Sequence, residues 1–64
     1  MSNQANRYNT VRYADPAGNV HETGLYMTHA DSWQATIARA ERLLKLQLGA
    51  SNVARVVWLN GNAA

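Results

Sequence analysis

The stretch from Asp31 to Gly49, DSWQATIARAERLLKLQLG, decides the fold because it contains one complete amphipathic helix. Asp31 is a preferred N-cap residue, and Gln34 three positions later completes a variant of the capping box. Gly49 is a typical helix terminator because glycine adopts a positive φ at no steric cost. The stretch therefore predicts a helix that ends at Leu48.

One side of this helix is apolar when its residues are placed about 100° apart around the axis. The predicted core face consists of Trp33, Ile37, Ala40, Leu44 and Leu48, flanked by Thr36, Leu43 and Gln47. The opposite, solvent side consists of Gln34, Ala38, Glu41, Arg42 and Lys45. Glu41 and Lys45 have the spacing of a favourable ion pair on a helix surface. The helix should therefore pack on a sheet with one face only.

Two strands are predicted before the helix. Residues 7–14 and 20–28 are rich in β-branched and aromatic side chains. Between them, Asp15-Pro-Ala-Gly-Asn19 contains the residues that favour a tight turn. In the second strand, alternation places Leu25 and Met27 toward the core. The pattern predicts a β-hairpin.

Residues 53–59, VARVVWL, give the strongest strand signal in the chain. Both faces of this strand are apolar, but one helix covers only one face of a sheet. The other face should expose either the pair Val57 and Leu59 or the pair Val56 and Trp58.

These segments predict an α+β domain of ββαβ order over residues 7–60, with a three-stranded, mainly antiparallel sheet and the helix on one face. A flexible arm of residues 1–6 precedes the domain, and a tail of residues 61–64 follows it. The sequence leaves open whether the tail is disordered or extends the last strand into a dimer contact.

Composition narrows the functional classes. The chain has 64 residues, no cysteine and a formal net charge of +2. A domain this small has a marginal core, and without thiols it lacks disulfides and thiolate metal ligands. No cofactor or metal is predicted. The longest apolar runs fall far short of the ~20 residues of a membrane span, and the first residues do not resemble a signal peptide. We therefore expect no membrane association and a cytoplasmic location.

Catalytic residues are scarce. His29 and Asp31 have a spacing that suits an acid/base or metal pair, but Asp31 is already explained as a helix cap. His21 beside Glu22 has the character of an exposed strand pair. The serines occur in no recognisable motif, and the glycines match no nucleotide-binding fingerprint. The sequence predicts a protein that is not an enzyme.

Nucleic-acid binding is an alternative, because the first strand interleaves cations with aromatic rings. Arg7 and Tyr13 share one face of that strand, and Tyr8 and Arg12 share the other, so neither face collects all four. The basic flank of the helix could contact phosphates, and Arg55 could join it. The candidate nucleic-acid or dimer surface comprises Arg7, Tyr8, Arg12, Tyr13 and Arg55.

A protein partner is the leading hypothesis. Leu46 falls on the polar side of the helix, between cations, where an apolar side chain is unexpected. Together with an uncovered sheet face, this predicts a homodimer or a surface for a protein target. The predicted partner-binding residues are Arg39, Arg42, Lys45 and Leu46.

The order of segments also resembles a known group of proteins. A strand pair with a Pro-Gly turn is followed by THADSWQATIARA at residues 28–40 and by ARVVWL at residues 54–59. Over residues 7–60 this resembles the small ββαβ proteins of bacteriophages and mobile elements, some of which are anti-CRISPR proteins. The resemblance implies a phage-encoded protein that binds and inhibits or modulates a host complex, such as a CRISPR effector. It carries over no site residue.

Overall fold

A computed structural model describes residues 6–64 of the chain. Apart from Asn6, the predicted flexible arm lies outside the described residues. The elements are β1 (Arg7–Ala14), β2 (Val20–Met27), α1 (Trp33–Leu48), a 3-10 turn (Ala50–Asn52), β3 (Arg55–Leu59) and β4 (Asn62–Ala63). The strands form one sheet in the order β2-β1-β3-β4, and every neighbouring pair is antiparallel.

The predicted α+β class is confirmed, with one helix beside an antiparallel sheet. The strand count differs, because the sheet has four strands and not three. The fourth strand follows a tight turn in which Asn60 has φ 48° and Gly61 has φ 94°. Positive φ at both central residues is the signature of a type I′ hairpin turn, which Asn-Gly favours. The predicted tail therefore folds back on β3, and the Ala64 N–H donates to Val57 O (3.0 Å).

The β1–β2 hairpin forms as predicted. The Gly18 N–H donates to Asp15 O (2.9 Å), and Gly18 has φ 91°, which glycine tolerates. The Asp15 carboxylate accepts the backbone N–H groups of Ala17 (3.0 Å) and Asn19 (2.9 Å). The aspartate at the first position of the turn thus stabilises it by accepting backbone N–H groups, as in an Asx turn.

The N-cap of α1 is Ser32, so the prediction of Asp31 is wrong by one residue. Ser32 Oγ accepts the N–H of Ala35 (3.1 Å). The reason lies in Thr36, whose hydroxyl accepts the Ala30 N–H (3.0 Å) and donates to Ser32 O (2.8 Å). These bonds fix the chain entering the helix so that serine, and not aspartate, faces the first free N–H groups. The C-terminus at Leu48 is confirmed, with Gly49 at φ 99°.

The core lies between α1 and the inner face of the sheet. The helix contributes its middle, since Thr36, Ala40 and Leu44 are its buried residues. Trp33 and Leu48, predicted on the core face, are 39% and 38% exposed because they occupy the two ends of the helix. The strands and the loop before β3 supply the other buried apolar residues of the cluster: Val11, Leu25, Met27, Val53, Val56 and Leu59.

A β-bulge in β3 breaks the alternation on which the sequence reasoning relied. Tyr13 pairs with Val56 but Arg12 pairs with Trp58, so Val57 is the extra residue. Val56 and Leu59 are therefore both buried in the core. Trp58 lies beside Arg12, on the side of the sheet away from the helix. Neither predicted pair, Val57 with Leu59 or Val56 with Trp58, is exposed as a unit.

Candidate interaction surfaces

The sheet face that the helix leaves uncovered carries three aromatic side chains and one arginine. We call this surface the aromatic face; it consists of Tyr8, Arg12, Tyr26 and Trp58. Tyr8 lies opposite Tyr26 in the β1–β2 register, and Arg12 lies opposite Trp58 across β1 and β3. The two tyrosine rings meet edge to face, with centroids 5.2 Å apart and planes at 66°. They are 62% and 64% exposed. The face thus presents aromatic surface to solvent.

Arg12 is held in place from two sides. Its guanidinium lies 4.2 Å from the centroid of the Trp58 ring, within the range of a cation–π contact. Its Nε donates to Glu22 (2.9 Å), on the neighbouring strand. These two contacts orient the guanidinium plane and hold the Arg12 side chain in one position on the aromatic face.

Gly24 makes room for the Tyr8 ring. A Cβ built at Gly24 would collide with the Tyr8 ring and its hydroxyl. The ring therefore lies across the backbone of β2, where only glycine allows so close an approach.

The residues predicted for a nucleic-acid or dimer surface are divided between two sides. Tyr8 and Arg12 share the aromatic face, as alternation predicted. Tyr13 lies on the helix side, where its ring stacks on His21 with centroids 5.1 Å apart and packs against the core. Arg7 and Arg55 are exposed at positions opposite Met27 and Ala14 in the register.

Tyr26 and Trp58 are the members of the aromatic face that the sequence reasoning missed. The signal for Tyr26 was present, because it alternates with the core residues Leu25 and Met27 on a strand whose turn fixes the register. Trp58 had no such signal, since its orientation depends on the bulge at Val57.

A second surface, the Leu46 patch, consists of Arg42, Lys45 and Leu46 on the outer side of α1. These residues line a shallow groove that Ala38, Glu41 and Ala50 complete. Leu46 is 76% exposed, which agrees with its predicted position on the polar side of the helix. The patch and the aromatic face lie on opposite sides of the molecule, so they do not form the single surface that the sequence suggested.

Glu41 does not pair with Lys45 as predicted. Its Oε2 accepts the backbone N–H of Val56 (3.1 Å) and so binds α1 to β3. Within residues 6–64, the ion pairs are Arg12–Glu22 and His21–Asp15. Neither Arg42 nor Lys45, beside Leu46, takes part in an ion pair within this part of the chain.

Arg39, which was predicted to contact a partner, is engaged within the molecule. Its Nη1 donates to Thr28 O (2.8 Å) and to Thr28 Oγ1 (3.1 Å). These bonds hold the end of β2 against the helix. Arg39 thereby positions the connection between the two elements.

The two histidines of the candidate catalytic pairs form hydrogen bonds with residues other than the predicted ones. His29 does not pair with Asp31, because its Nε2 bonds to Asn9 Oδ1 (2.7 Å). His21 pairs with Asp15 (2.8 Å) and not with Glu22. This hydrogen bond, with those from the Asn19 and Ala17 backbone, holds the pKa of Asp15 below its ordinary value of 3.8. Over the described part of the chain, no three His, Cys, Asp or Glu side chains gather as metal ligands would.

Asn9 is the polar centre of the fold, 1% exposed. Its Nδ2 donates to the carbonyl oxygens of Arg7 (2.9 Å), Leu25 (3.0 Å) and Met27 (3.3 Å). Its Oδ1 accepts from His29 Nε2 and from Asn60 Nδ2 (2.8 Å). Because Oδ1 is the acceptor, His29 Nε2 is the donor in this hydrogen bond. The network joins β1, β2 and the β3–β4 turn.

Comparisons with protein-family models, curated proteins and solved structures gave no match. Across residues 6–64, no helix has the length and apolar character needed to cross a membrane.

Proposed function

We propose that the protein is a non-enzymatic interaction protein that binds a host macromolecular complex and inhibits or modulates it, through the Leu46 patch. The observation that carries this proposal is an exposed leucine, 76% accessible, beside two cations that have no ion-pair partner among residues 6–64. In its specific form the protein is phage-encoded, acts in the cytoplasm of the host cell, and is anti-CRISPR-like.

The patch has the chemistry of a small protein interface. Interfaces combine an apolar centre with a polar rim, and a few anchors supply most of the binding energy. Leu46 is the anchor, and Arg42 and Lys45 form the rim. Arg42 and Lys45 outnumber Glu41, whose carboxylate lines the same groove, so the net charge here is positive. An acidic protein surface with an apolar pocket is the matching target, since complementary charge speeds association and selects the partner.

The test uses bacterial strains that each carry one active type of CRISPR system directed against the same phage. Expression of the chain should restore plaque formation in at least one strain. Arg42→Glu combined with Leu46→Asp should abolish the effect. Gln34→Glu with Ala35→Glu, at exposed positions near the other end of the helix, should not. Circular dichroism verifies that each variant is folded.

Two results would contradict this proposal. If no strain regains plaques, the anti-CRISPR-like role is wrong. If plaques return but the patch variant acts like the unaltered chain, the Leu46 patch is not the contact surface.

A second candidate function is single-stranded nucleic-acid binding, which the composition of the aromatic face favours. Exposed rings on a sheet stack with bases at roughly 1–3 kcal/mol per base. The sequence hypothesis used the basic helix flank, but Arg39 is bound to Thr28, which leaves Arg42 and Lys45 there. The aromatic face instead combines Tyr8, Tyr26 and Trp58 with the oriented cation of Arg12.

Fluorescence anisotropy with a labelled oligothymidine tests this candidate. Tyr8→Ala with Tyr26→Ala should weaken binding at least tenfold, on the order of the loss of one stacked base. Arg42→Ala with Lys45→Ala serves as the control and should change it little. Absence of binding at about 50 mM salt, where phosphate contacts are strong, would exclude the candidate.

A further inference from the structure

Within residues 6–64, no strand pairs with the outer edge of β2. In the part of the chain that the structure describes, β2 ends the sheet and pairs with β1 alone, residue for residue without a bulge. Its sequence, VHETGLYM, contains no proline and no lysine. Natural proteins usually protect such an edge with charged side chains, proline, a bulge or a covering segment, because a free edge accepts another strand. Of these, β2 has the carboxylate of Glu22, which is paired with Arg12.

The hydrogen-bond phase shows which residues face this edge. The Asp15 N–H donates to Asn19 O (2.9 Å), which makes Asp15 and Asn19 a hydrogen-bonded pair. In an antiparallel ladder such pairs alternate with non-hydrogen-bonded ones. The residues that direct their N–H and C=O groups away from β1 are therefore Val20, Glu22, Gly24 and Tyr26.

The opposite edge of β1 supports this phase independently. The Ala54 N–H donates to Ala14 O (2.8 Å), and the Asn60 N–H donates to Thr10 O (2.9 Å). Even-numbered residues of β1 thus face β3, so its odd-numbered residues face β2. Four residues of β2 consequently have backbone groups available to a new strand.

We propose that two copies of the chain pair through β2, antiparallel, with Thr23 opposite the partner's Thr23. This register places Val20 opposite the partner's Tyr26 and Glu22 opposite the partner's Gly24. It matches all four outward residues in each copy, and Val–Tyr is a favourable cross-strand pair. Sliding by two residues in one direction would put Glu22 against the partner's Glu22, with like charges opposed. Sliding the other way leaves Val20 without a β2 partner.

A second copy of the chain is the partner that suits the free edge of β2, because this edge is complementary to itself in charge as well as in hydrogen bonding. In this register no two like charges face each other directly, and each Glu22 is already neutralised by Arg12 (2.9 Å). The product is one continuous eight-stranded sheet with both helices on the same side. This inference does not depend on the identity of the target.

Cysteine cross-linking tests the register. The chain has no cysteine, so Thr23→Cys introduces a single thiol. In a non-hydrogen-bonded pair the Cα atoms lie about 4.5 Å apart, which a disulfide can span. Under mild oxidation, Thr23→Cys should form a covalent dimer at least tenfold faster than Ser51→Cys, an exposed position in the 3-10 turn.

Sedimentation equilibrium tests the backbone contact. Glu22→Pro and Glu22→Ala both remove the ion pair with Arg12, but only proline also removes the outward N–H. We expect the alanine variant to dimerise and the proline variant to bind itself at least tenfold more weakly, while Leu46→Asp leaves the dimer unchanged. A monomer at every concentration, equal cross-linking rates for the two cysteines, or a dimer insensitive to Glu22→Pro would each overturn the proposal.

Discussion

Replacing Asn9 by alanine should cost this domain a large part of its stability. The two N–H groups of the Asn9 amide are shared among the carbonyl oxygens of Arg7, Leu25 and Met27, and its Oδ1 accepts from His29 and Asn60. A hydrogen bond contributes about 0.5–1.5 kcal/mol net. His29 and Asn60 are exposed and can turn to water. Counting mainly the two donating N–H groups, at about 1 kcal/mol each, we expect a loss of about 2 kcal/mol.

That loss is large for a chain of 64 residues. Domains have roughly 0.05–0.15 kcal/mol of stability per residue, or roughly 3–10 kcal/mol here. With a urea m-value of about 1 kcal/mol/M, the unfolding midpoint should fall by about 2 M. Urea titration followed by circular dichroism measures the shift.

Two further variants make the result interpretable. Asn62→Ala removes an exposed asparagine in β4 and should change stability by less than about 0.5 kcal/mol. Asn9→Asp keeps the size and the acceptor but turns a carboxylate toward three carbonyl oxygens, so it should be no more stable than Asn9→Ala. An Asn9→Ala loss below about 1 kcal/mol, or an Asn9→Asp protein as stable as the unaltered chain, would refute this account of the core.

Three other changes have defined outcomes. Because the folded pKa of Asp15 is depressed, its stabilisation is present above pH 3.8 and disappears as the pH falls through the folded value. Asp15→Asn should therefore flatten this part of the acid dependence of the thermal midpoint, measured over roughly pH 2 to 5. Glu41→Ala should destabilise by about 1 kcal/mol and Glu41→Gln by less, because glutamine still accepts the Val56 N–H. Equal losses in urea titrations would contradict that role. Gly61→Ala places a Cβ at φ 94° and should cost about 1–2 kcal/mol. An unchanged melting temperature would show that the type I′ turn is not formed.

Local patterns predicted most of the fold. The hairpin followed from Asp15 and Gly18, whose turn chemistry acts within five residues, and the helix end followed from Gly49. The cap was misplaced because Asp31 and Ser32 are equally good candidates locally. What selects Ser32 is Thr36, whose hydroxyl fixes the chain that enters the helix.

The surfaces were harder to predict because they depend on contacts between distant segments. The bulge that turns Trp58 outward arises in the pairing of β1 with β3, and no residue type in β3 predicts it. Glu41 has the spacing of a helix-surface ion pair with Lys45, yet it binds a strand 15 residues away. For Leu46, in contrast, helical periodicity alone was sufficient, because its exposure depends on its own helix.

The strand order has a consequence for how the chain acquires its structure during synthesis. β1 is made first among the strands but lies inside the sheet, between β2 and β3. Proteins emerge from the ribosome N-terminus first, so β1 pairs early with β2, while its other side waits until the whole helix and the following turn have been translated. During that interval both backbone edges of the nascent hairpin lack a hydrogen-bonded neighbour, and few apolar residues cover its inner face. β3 becomes available to β1 only when the completed chain leaves the ribosome, and its pairing then covers the free side of β1.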